Sequence, residues 1–438
     1  MADLVVRGGL AVTPEGVYPA DLVVVGGRIA DLLPPGEPVA AAQELDGSGC
    51  LVLPGIIDPH VHFRTPGLEH KEDWLHASAA AVAGGVTAVL DMPNTLPPTV
   101  EAAAVAAKRE LVAGHSYCHY GFYGGLAAGQ LDRLGELARA GVVGFKVFMG
   151  ETTASLPCPD DGALLAAWRE TATLGLRTMV HAENGAILRA VAAETALNTL
   201  AAHGRSRPPV AELEAVNRAC LLATAAGAPI AIAHLSTAGG AAAVRQAKQV
   251  GCDVRGETCP HYLLLTEEEA AGVGPLAKVN PPLRAAADRE ALWAAIGDGT
   301  IDQIGSDHAP HTTTEKWAVP LGQAPAGFAG VQLTLPTLCG HPRLSARRLV
   351  ELLCSGPARN WGLWPRKGRL ARGADADLAL VRLGATGAPA LQRSLHPDGP
   401  VLRLCPPRAT VVATVVGGRI AFYDGALCGE PAGSWLRA

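Results

Sequence analysis

The sequence predicts an α/β fold, a (β/α)8 barrel of the TIM type with a small β-sandwich domain built from both chain termini. Three observations support this prediction: apolar runs alternate with Ala/Leu-rich segments at helical spacing, polar residues end these runs, and both chain ends contain short strand-like segments. The chain has 438 residues, of which 49% are hydrophobic and 18% are charged. This length and composition suffice for one large domain and a smaller one, each with a buried core.

The apolar runs in the middle of the chain are typical of strands that a parallel sheet buries on both faces. Segments such as 161–173 and 210–226 separate the runs and have the spacing of helices. Parallel strands need such crossovers, and eight successive βα units predict closure into a barrel. The eight runs are 55–63, 87–94, 117–126, 142–150, 177–184, 230–236, 253–265 and 302–310.

The two chain ends share a short motif. Gly26-Gly27-Arg28-Ile29 follows a strand-like run near the N-terminus, and Gly417-Gly418-Arg419-Ile420 follows another near the C-terminus. Paired glycines between apolar runs predict tight turns. We therefore expect one β domain from both ends, with residues 1–53 as its N-terminal part, 54–365 as the barrel and 366–438 as its C-terminal part.

Composition excludes several classes of protein. The formal charge is −5 and no Lys/Arg-rich run could follow a phosphate backbone, so nucleic acid is not an expected partner. The sequence has neither a signal-peptide pattern nor an apolar stretch approaching about 18 residues, so no membrane association is expected. The ten cysteines are scattered without a Cys-x-x-Cys pair and predict reduced, buried thiols. These features predict a soluble cytoplasmic protein.

Residues of metal-ligand type end the apolar runs. In a (β/α)8 barrel the reactive side chains lie at the carboxyl ends of the strands. His60 and His62 are two residues apart and face the same side of a strand, but a lone pair of this kind is a weak signal, because histidine is often an ordinary polar residue. Candidates at later strand ends strengthen it. The predicted metal ligands are His60, His62, Lys146, His181, His234 and Asp307.

Lys146 lies inside the apolar run 142–149, where an unpaired ammonium is costly to bury. One interpretation is an ion pair with a carboxylate such as that of Asp307. The other is reaction with carbon dioxide to N6-carboxylysine, an anionic oxygen ligand able to bridge two divalent metal ions. Zinc is the first choice for both ions, with manganese or cobalt as alternatives, and the ions would share a hydroxide as the nucleophile. Asp307 is the expected catalytic residue, which accepts a proton and delivers it to the leaving nitrogen.

Several motifs resemble those of the amidohydrolase superfamily, and more closely its dihydroorotase branch, over nearly the whole chain. This resemblance implies a small-molecule substrate and the reversible cyclisation of N-carbamoyl-L-aspartate to L-dihydroorotate, a step of pyrimidine biosynthesis. The matching motifs are Asp58-Pro59-His60-Val61-His62-Phe63-Arg64-Thr65-Pro66-Gly67, Met92-Pro93-Asn94-Thr95, Lys278-Val279-Asn280-Pro281-Pro282-Leu283-Arg284 and Ser306-Asp307-His308-Ala309-Pro310-His311.

The resemblance also implies substrate-binding residues. Arg64 offers a planar two-pronged donor for a ring carboxylate, although an ordinary salt bridge at the rim is the alternative. Asn94, Asn280 and His311 match substrate-contacting positions of the family. The small residues of the loop 325–328 allow a close approach to a bound ring or form only a surface turn. The predicted substrate-binding residues are therefore Arg64, Asn94, Asn280, His311, Ala326 and Gly327.

Some positions depart from the dihydroorotase pattern. Thr65 stands where glutamate is frequent, Lys146 where many dihydroorotases have aspartate, and the segment 257–262 resembles allantoinases as much as dihydroorotases. The alternatives are an allantoinase, a hydantoinase or dihydropyrimidinase, a one-metal deaminase, and a non-catalytic scaffold. Glu257 and His261 are expected to orient metal ligands or simply to pack.

The resemblance further implies a homo-oligomer, either a dimer or a tetramer, and a possible association with aspartate transcarbamoylase. The segment 150–153, just past Lys146, is a candidate for closing over the site.

Overall fold

The computed structural model describes residues 1–150, 156–384 and 392–437. The candidate closing segment lies outside the described residues except for Gly150. The described chain forms two sheets and a set of helices around one of them.

The eight-stranded sheet is the predicted barrel. Neighbouring strands run parallel and follow one another in chain order. A parallel bridge between Val61 and His308, with the His62 N–H donating to the His308 carbonyl at 2.7 Å, joins the first strand to the segment after the last. The barrel strands, β6 to β13, are Ile56–Val61, Val86–Asp91, His119–Gly125, Gly144–Phe148, Thr178–His181, Ile230–Ile232, Val254–Thr258 and Ile301–Ile304. Each of the eight predicted runs overlaps one of these strands, although β7 and β13 begin one residue before their runs.

Five strands precede the barrel in the chain. These strands, β1 to β5, are Ala2–Thr13, Gly16–Val25, Arg28–Leu33, Ala41–Asp46 and Leu51–Pro54.

The nine-stranded sheet combines both chain ends, as predicted. Strand β5 pairs antiparallel with the first of the C-terminal strands, which links the two halves. Leu4, Val24, Leu378 and Val415 belong to a buried apolar cluster that both halves share. The exact domain boundaries remain a prediction. The C-terminal strands, β14 to β17, are Leu378–Leu383, Ala409–Val416, Arg419–Tyr423 and Ala426–Leu427.

Helices cover the barrel, and polar side chains begin several of them. Asp73 accepts the His76 N–H at 2.9 Å at the start of α1, and Thr237 accepts the Gly240 N–H at 3.0 Å at the start of α8. Helices α1 to α16 are Trp74–Ala83, Ala102–Val112, Leu134–Ala140, Asp161–Thr173, Gly185–Ala193, Leu200–Ser206, Pro209–Ala226, Ala238–Gln249, Pro260–Leu264, Glu267–Ala270, Ala286–Gly297, Thr313–Trp317, Thr334–Leu338, Ala346–Val350, Gly356–Asn360 and Pro400–Leu404. Two short 3₁₀ helices, Leu131–Arg133 and Ala271–Ala277, and a π-helical turn, Glu351–Ser355, complete the helical elements.

One predicted run is longer than its strand. The run 253–265 holds only β12, which ends at Thr258, because Pro260 occupies the first position of α9. Proline has no N–H to donate to a strand and suits the first turn of a helix.

The passage from the terminal sheet to the barrel is tight. Gly55 lies between β5 and β6, and a Cβ atom there would lie 2.1 Å from Thr87 Oγ1. The Gly55 N–H donates to the Asp377 carbonyl at 2.7 Å, just before β14. This glycine therefore allows both chain halves to meet the barrel at one point.

All ten cysteines are free. Among the described helices, none combines the length and the apolar character that a membrane-spanning segment needs.

Candidate metal centre and substrate cavity

A cavity opens at the carboxyl ends of the barrel strands. Its volume is about 240 Å³, near the lower end of the range for small-molecule sites. Its wall combines histidines, a carboxylate and two arginines with small loop residues. The lining residues are His60, His62, Arg64, Asn94, Phe148, His181, Arg207, His234, Val279, Asn280, Asp307, Ala309, Pro325, Ala326 and Gly327.

Three of the predicted metal ligands form one group. Asp307 Oδ1 lies 3.4 Å from His60 Nε2 and 3.2 Å from His62 Nε2. The candidate donor atoms of these three buried residues lie within 4.8 Å of one another. His60 and His62 lie at the end of β6 and Asp307 three residues past β13, so the closure of the barrel brings them together.

Hydrogen bonds orient both histidines of this group. His60 Nδ1 lies 2.7 Å from Glu257 Oε1, and His62 Nδ1 lies 2.8 Å from Asn94 Oδ1. A carboxylate and an amide oxygen only accept, so each ring carries its proton on Nδ1. Nε2 of each ring then keeps a free lone pair, as a metal ligand requires. Glu257 therefore orients the ring of His60, while the role of His60 as a metal ligand stays a prediction.

A second group consists of His181 and His234. His181 Nδ1 lies 2.9 Å from His234 Nε2, while His181 Nε2 donates to Glu183 Oε2 at 3.0 Å. Glu183 also accepts two hydrogen bonds from Arg207, at 3.1 and 2.5 Å. Because the Glu183 carboxylate fixes the His181 proton on Nε2, the lone pair of Nδ1 faces His234. Two ring nitrogens this close need a proton or a cation between them.

Burial keeps the four histidines in the form that binds metal. Removal from water lowers the pKa of His60, His62, His181 and His234. The neutral ring therefore dominates at neutral pH, and all four can act as ligands.

Backbone strain is concentrated at this site. Four non-glycine residues in the described ranges have a positive φ, and three of them line the cavity: Arg64 at 65°, His234 at 39° and Asp307 at 48°. Such conformations are unfavourable for residues with a Cβ atom and persist where the surrounding structure holds them. The surrounding structure therefore stabilises unfavourable backbone conformations that direct these three side chains toward the cavity.

Lys146 is buried, and its Nζ lies 5.0 Å from the centroid of the Phe148 ring. Its side chain is 1% exposed, and Nζ makes no hydrogen bond or ion pair with any described residue. The alternative of a salt bridge with Asp307 is therefore wrong. Burial lowers the pKa of the Lys146 amine to about 8, so a reactive neutral amine is accessible near neutral pH.

The donor set fits divalent metal ions. It combines neutral imidazoles, a carboxylate and a lysine whose buried amine has no hydrogen-bond partner among the described residues. Imidazoles and carboxylates are ligands that zinc and related ions bind in hydrolases. The lone pair of His181 Nδ1 faces His234 Nε2 and would be available to a metal ion between the two rings.

The predicted substrate residues lie at different depths. Asn94, Asn280, Ala326 and Gly327 line the cavity, and Asn280 Oδ1 is buried without a hydrogen-bond partner among the described residues. Gly327 has a φ of 124°, and a Cβ atom there would lie 2.5 Å from the Ala309 carbonyl oxygen, so only glycine fits. His311 does not line the cavity. Their roles in substrate binding remain predictions.

Arg64 holds the rim together. Its Nε donates to the Pro310 carbonyl at 3.2 Å, and Nη2 lies 3.1 Å from His311 Nε2. His311 Nδ1 in turn lies 3.2 Å from Lys71 Nζ. Part of the Arg64 guanidinium is thus occupied by the loop that follows Asp307.

The amino-acid sequence matches a known family. The model of the amidohydrolase family matches residues 51–421. The chain belongs to the amidohydrolase family. The predictions of the superfamily, of the barrel fold and of a hydrolase are confirmed.

The relatives of this amidohydrolase include allantoinases, a dihydroorotase and a hydantoinase. It is 40% identical to an allantoinase of Rubrobacter xylanophilus over 99% of this chain and 97% of the relative, and two further allantoinases are 39% identical over at least 91% of it. It is also 39% identical to a dihydroorotase of Halobacterium salinarum over 82% of this chain and 86% of that relative. The structure of L-hydantoinase (dihydropyrimidinase) from Arthrobacter aurescens superposes with a TM-score of 0.95 at 32% identity, with full coverage of both chains.

The prediction of a dihydroorotase is wrong, because the relatives matched over nearly the whole chain at 39–40% identity are allantoinases. Arg64 explains the error. An arginine beside a metal motif suggested a carboxylated substrate, but in this amidohydrolase its Nε binds the Pro310 carbonyl and its Nη2 contacts His311.

Two contributors to the amidohydrolase site were not predicted. Arg207 lines the cavity and binds Glu183, but it lies between α6 and α7, where no sequence periodicity marks it. The two-residue spacing of His181 and Glu183 was the available signal for the Glu183 contact. His261 packs its ring against Phe328 at 5.1 Å between centroids, in agreement with the packing interpretation.

Proposed function

We propose that this amidohydrolase opens the ring of a cyclic ureide by metal-dependent hydrolysis, with allantoin as the first candidate substrate. The main support is the convergence of four imidazoles and Asp307 on one small cavity. Lys146 does not line this cavity, but its buried Nζ lies 5.0 Å from the ring centroid of Phe148, which does. The allantoinase relatives favour allantoin, and the close structural likeness to L-hydantoinase makes a simple hydantoin the second candidate.

The proposed metal ligands divide into two groups. His60, His62 and Asp307 would hold one ion, and His181 and His234 a second. Lys146, as N6-carboxylysine, would give oxygen ligands to both. When bound, divalent ions, zinc first among them, supply Lewis acidity that acidifies water and polarises a carbonyl group.

The chain's own residues would handle the proton and the ring. Hydrolysis forms a bond between the water oxygen and the ring carbonyl carbon, breaks the ring C–N bond and moves one proton to the leaving nitrogen. Asp307 is placed to accept that proton and return it, because its carboxylate faces the cavity. Asn280 Oδ1, buried and without a partner among the described residues, would accept a ring N–H.

An assay panel tests the proposal. The protein, supplied with zinc and bicarbonate, is given allantoin, hydantoin, dihydrouracil and L-dihydroorotate, and ring opening is followed for each. We expect the highest kcat/KM with allantoin. Turnover of hydantoin without allantoin would support the second candidate, and no turnover of any cyclic amide by metal-loaded protein would reject the proposal.

Location and assembly belong to the same proposal. Ten free cysteines favour a reducing compartment such as the cytoplasm. Exposed apolar side chains on α7, among them Val210 and Leu221 at 53% and 71% exposure, favour a dimer or tetramer, which light scattering would measure. The expected association with aspartate transcarbamoylase depended on the dihydroorotase prediction and is withdrawn with it.

A further inference from the structure

The two copies of the Gly-Gly-Arg-Ile motif meet in space. The turn between β2 and β3 contains Gly26 and Gly27, and the turn between β15 and β16 contains Gly417 and Gly418. A Cβ atom on Gly27 would lie 2.9 Å from the Gly417 carbonyl oxygen, and one on Gly418 would lie 2.9 Å from Gly27 Cα. Glycine at both turns is what lets the backbones touch. The contact brings Arg28 and Arg419, which follow the turns, to the same place.

A second cavity lies beside this contact. Its volume is about 660 Å³, and both motif arginines line it together with Arg437 of the C-terminal segment. His119, the first residue of β8, also lines it, so the cavity lies at the amino ends of the barrel strands. The candidate metal centre lies at the opposite end of the barrel.

Three arginines of this cavity form no ion pair with any residue that the structure describes. Arg28 donates to the Gly373 carbonyl at 3.1 Å, and Arg419 and Arg437 make no side-chain hydrogen bond or ion pair with any described residue. The cavity's other cations, Arg366 and Lys367, are already paired with carboxylates. All three arginines are exposed, so their guanidinium groups are accessible to an anion in solution.

The lining also limits the shape of a ligand. Trp364 lines the cavity, but Arg359 and Arg369 already lie over its ring, at 4.3 and 5.2 Å from the centroid. The ring is therefore engaged and offers little for stacking a base. Trp435 also lines the cavity, and Arg109 lies over its ring at 4.7 Å from the centroid. The lining carboxylate of Asp375 is bound by Arg366 and Lys367. The unpaired guanidinium groups have planar donors that match the oxygens of a phosphoryl group.

We propose that this cavity binds a compact oxyanion with two or more negative charges, namely a phosphoryl group, held by Arg28, Arg419 and Arg437. Free phosphate and the phosphate end of a nucleotide share this chemistry. Arg28 and Arg419 come from the two halves of the terminal sheet. Arg437 follows Leu436, whose N–H donates to the Tyr120 carbonyl of β8 at 2.7 Å. A bound anion therefore joins both chain ends to the barrel and stabilises the junction.

Calorimetric titration of the metal-loaded enzyme with inorganic phosphate, ADP and adenosine tests this. We expect saturable binding of phosphate and ADP, no binding of adenosine, weaker binding at high salt, and a rise in Tm on binding. Equal affinities for inorganic phosphate and ADP would identify free phosphate as the ligand type. Tighter binding of ADP than of phosphate would identify a nucleotide. Metal content is measured after each titration, so that chelation is not mistaken for binding.

Three variants locate the site. The double variant Arg28→Gln/Arg419→Gln is expected to weaken binding at least about tenfold. Arg437→Gln removes an exposed side chain that makes no hydrogen bond or ion pair with the described residues, so it is expected to leave folding unchanged and to weaken binding several-fold. Arg169→Gln, at an exposed position on α4, is the matched control and should leave binding unchanged.

Four results would overturn the proposal: no saturable binding of either anion, full binding by both cavity variants, an equal loss in Arg169→Gln, or competition of the anion with the ring substrate. The last result would place the anion at the metal centre. These outcomes are independent of which cyclic amide the enzyme opens.

Discussion

His60 Nδ1 lies 2.7 Å from Glu257 Oε1, and both side chains are buried. The other oxygen of Glu257 accepts the Gln303 Nε2 amide at 2.7 Å, and Gln303 Oε1 accepts from Asn360 and Trp361. Gln303 is thus fixed with its amide nitrogen toward Glu257. Both oxygens of Glu257 face donors, and only a carboxylate offers two acceptors in that geometry.

Glu257→Gln is expected to reduce metal affinity and kcat by about 10- to 100-fold, the usual cost of losing a residue that orients a metal ligand. A glutamine places its NH2 group against either His60 or Gln303, and one donor then faces another. Elemental analysis and steady-state kinetics measure the effect. Glu268→Gln, at an exposed position of α10, is the control, and a fully metallated, fully active Glu257→Gln protein would contradict the tautomer assigned to His60.

Lys146→Arg tests the proposed carboxylysine. Arginine keeps the positive charge and much of the length, but its guanidinium does not form a stable carbamate. Metal-depleted protein is incubated with zinc, with and without bicarbonate, and activity is followed over time. We expect bicarbonate to accelerate the recovery of the unmodified protein and of the control Lys248→Arg, whereas Lys146→Arg stays inactive with or without it. If the unmodified protein recovered its activity in the complete absence of carbon dioxide, the carbamate would be excluded.

The Asp377 carboxylate joins the terminal sheet to the barrel, and its role depends on pH. Oδ1 lies 3.2 Å from His119 Nε2 and accepts the Gly417 N–H at 2.7 Å, while Oδ2 binds Lys367 Nζ at 2.5 Å. His119 Nδ1 accepts the Ser434 N–H, so its proton lies on Nε2 and is donated to Asp377. Burial alone would raise the pKa of Asp377, but Lys367 and the hydrogen bonds hold it well below its usual value.

Asp377→Asn is expected to lower stability by roughly 3–5 kcal/mol at neutral pH, because the amide would turn its NH2 group toward the buried Lys367 ammonium. A carboxyl with a lower pKa in the folded state stabilises the fold above its unfolded pKa of about 3.9 and loses that effect as pH falls toward the folded value. The difference in Tm between the two proteins should therefore be full at pH 7 and shrink below about pH 4. A constant difference down to pH 3 would show that the charge of Asp377 is not the cause.

Sequence patterns predicted much of this architecture for a physical reason. Strand and helix periodicities are local, and the carboxyl ends of barrel strands must share one rim, so residues as far apart as His60 and Asp307 could be placed together without knowledge of side-chain contacts. Contacts from loops follow no such rule. Arg207 reaches Glu183 from the connection between α6 and α7, and Asn94 contacts His62 although it matched a substrate position. The choice of substrate failed for the same reason, since it depended on what a rim arginine contacts.

Substitution of Arg64 tests whether its guanidinium binds the rim loop or the substrate. Arg64→Lys keeps the positive charge, but a single ammonium group cannot reproduce both the contact with the Pro310 carbonyl and the contact with His311. Losing hydrogen bonds from a charged, buried donor costs about 1.5–3 kcal/mol, which corresponds to roughly 10- to 100-fold in rate if the displaced loop moves Asp307. Because the loss arises in the rim loop, kcat/KM of Arg64→Lys should fall by a similar factor for allantoin and for hydantoin, with metal content unchanged. Arg245→Lys, a surface pair partner of Asp298, serves as the control and should retain full activity. L-Dihydroorotate, which carries a carboxylate, is measured beside allantoin and hydantoin, and a loss confined to that substrate would instead assign Arg64 to substrate recognition.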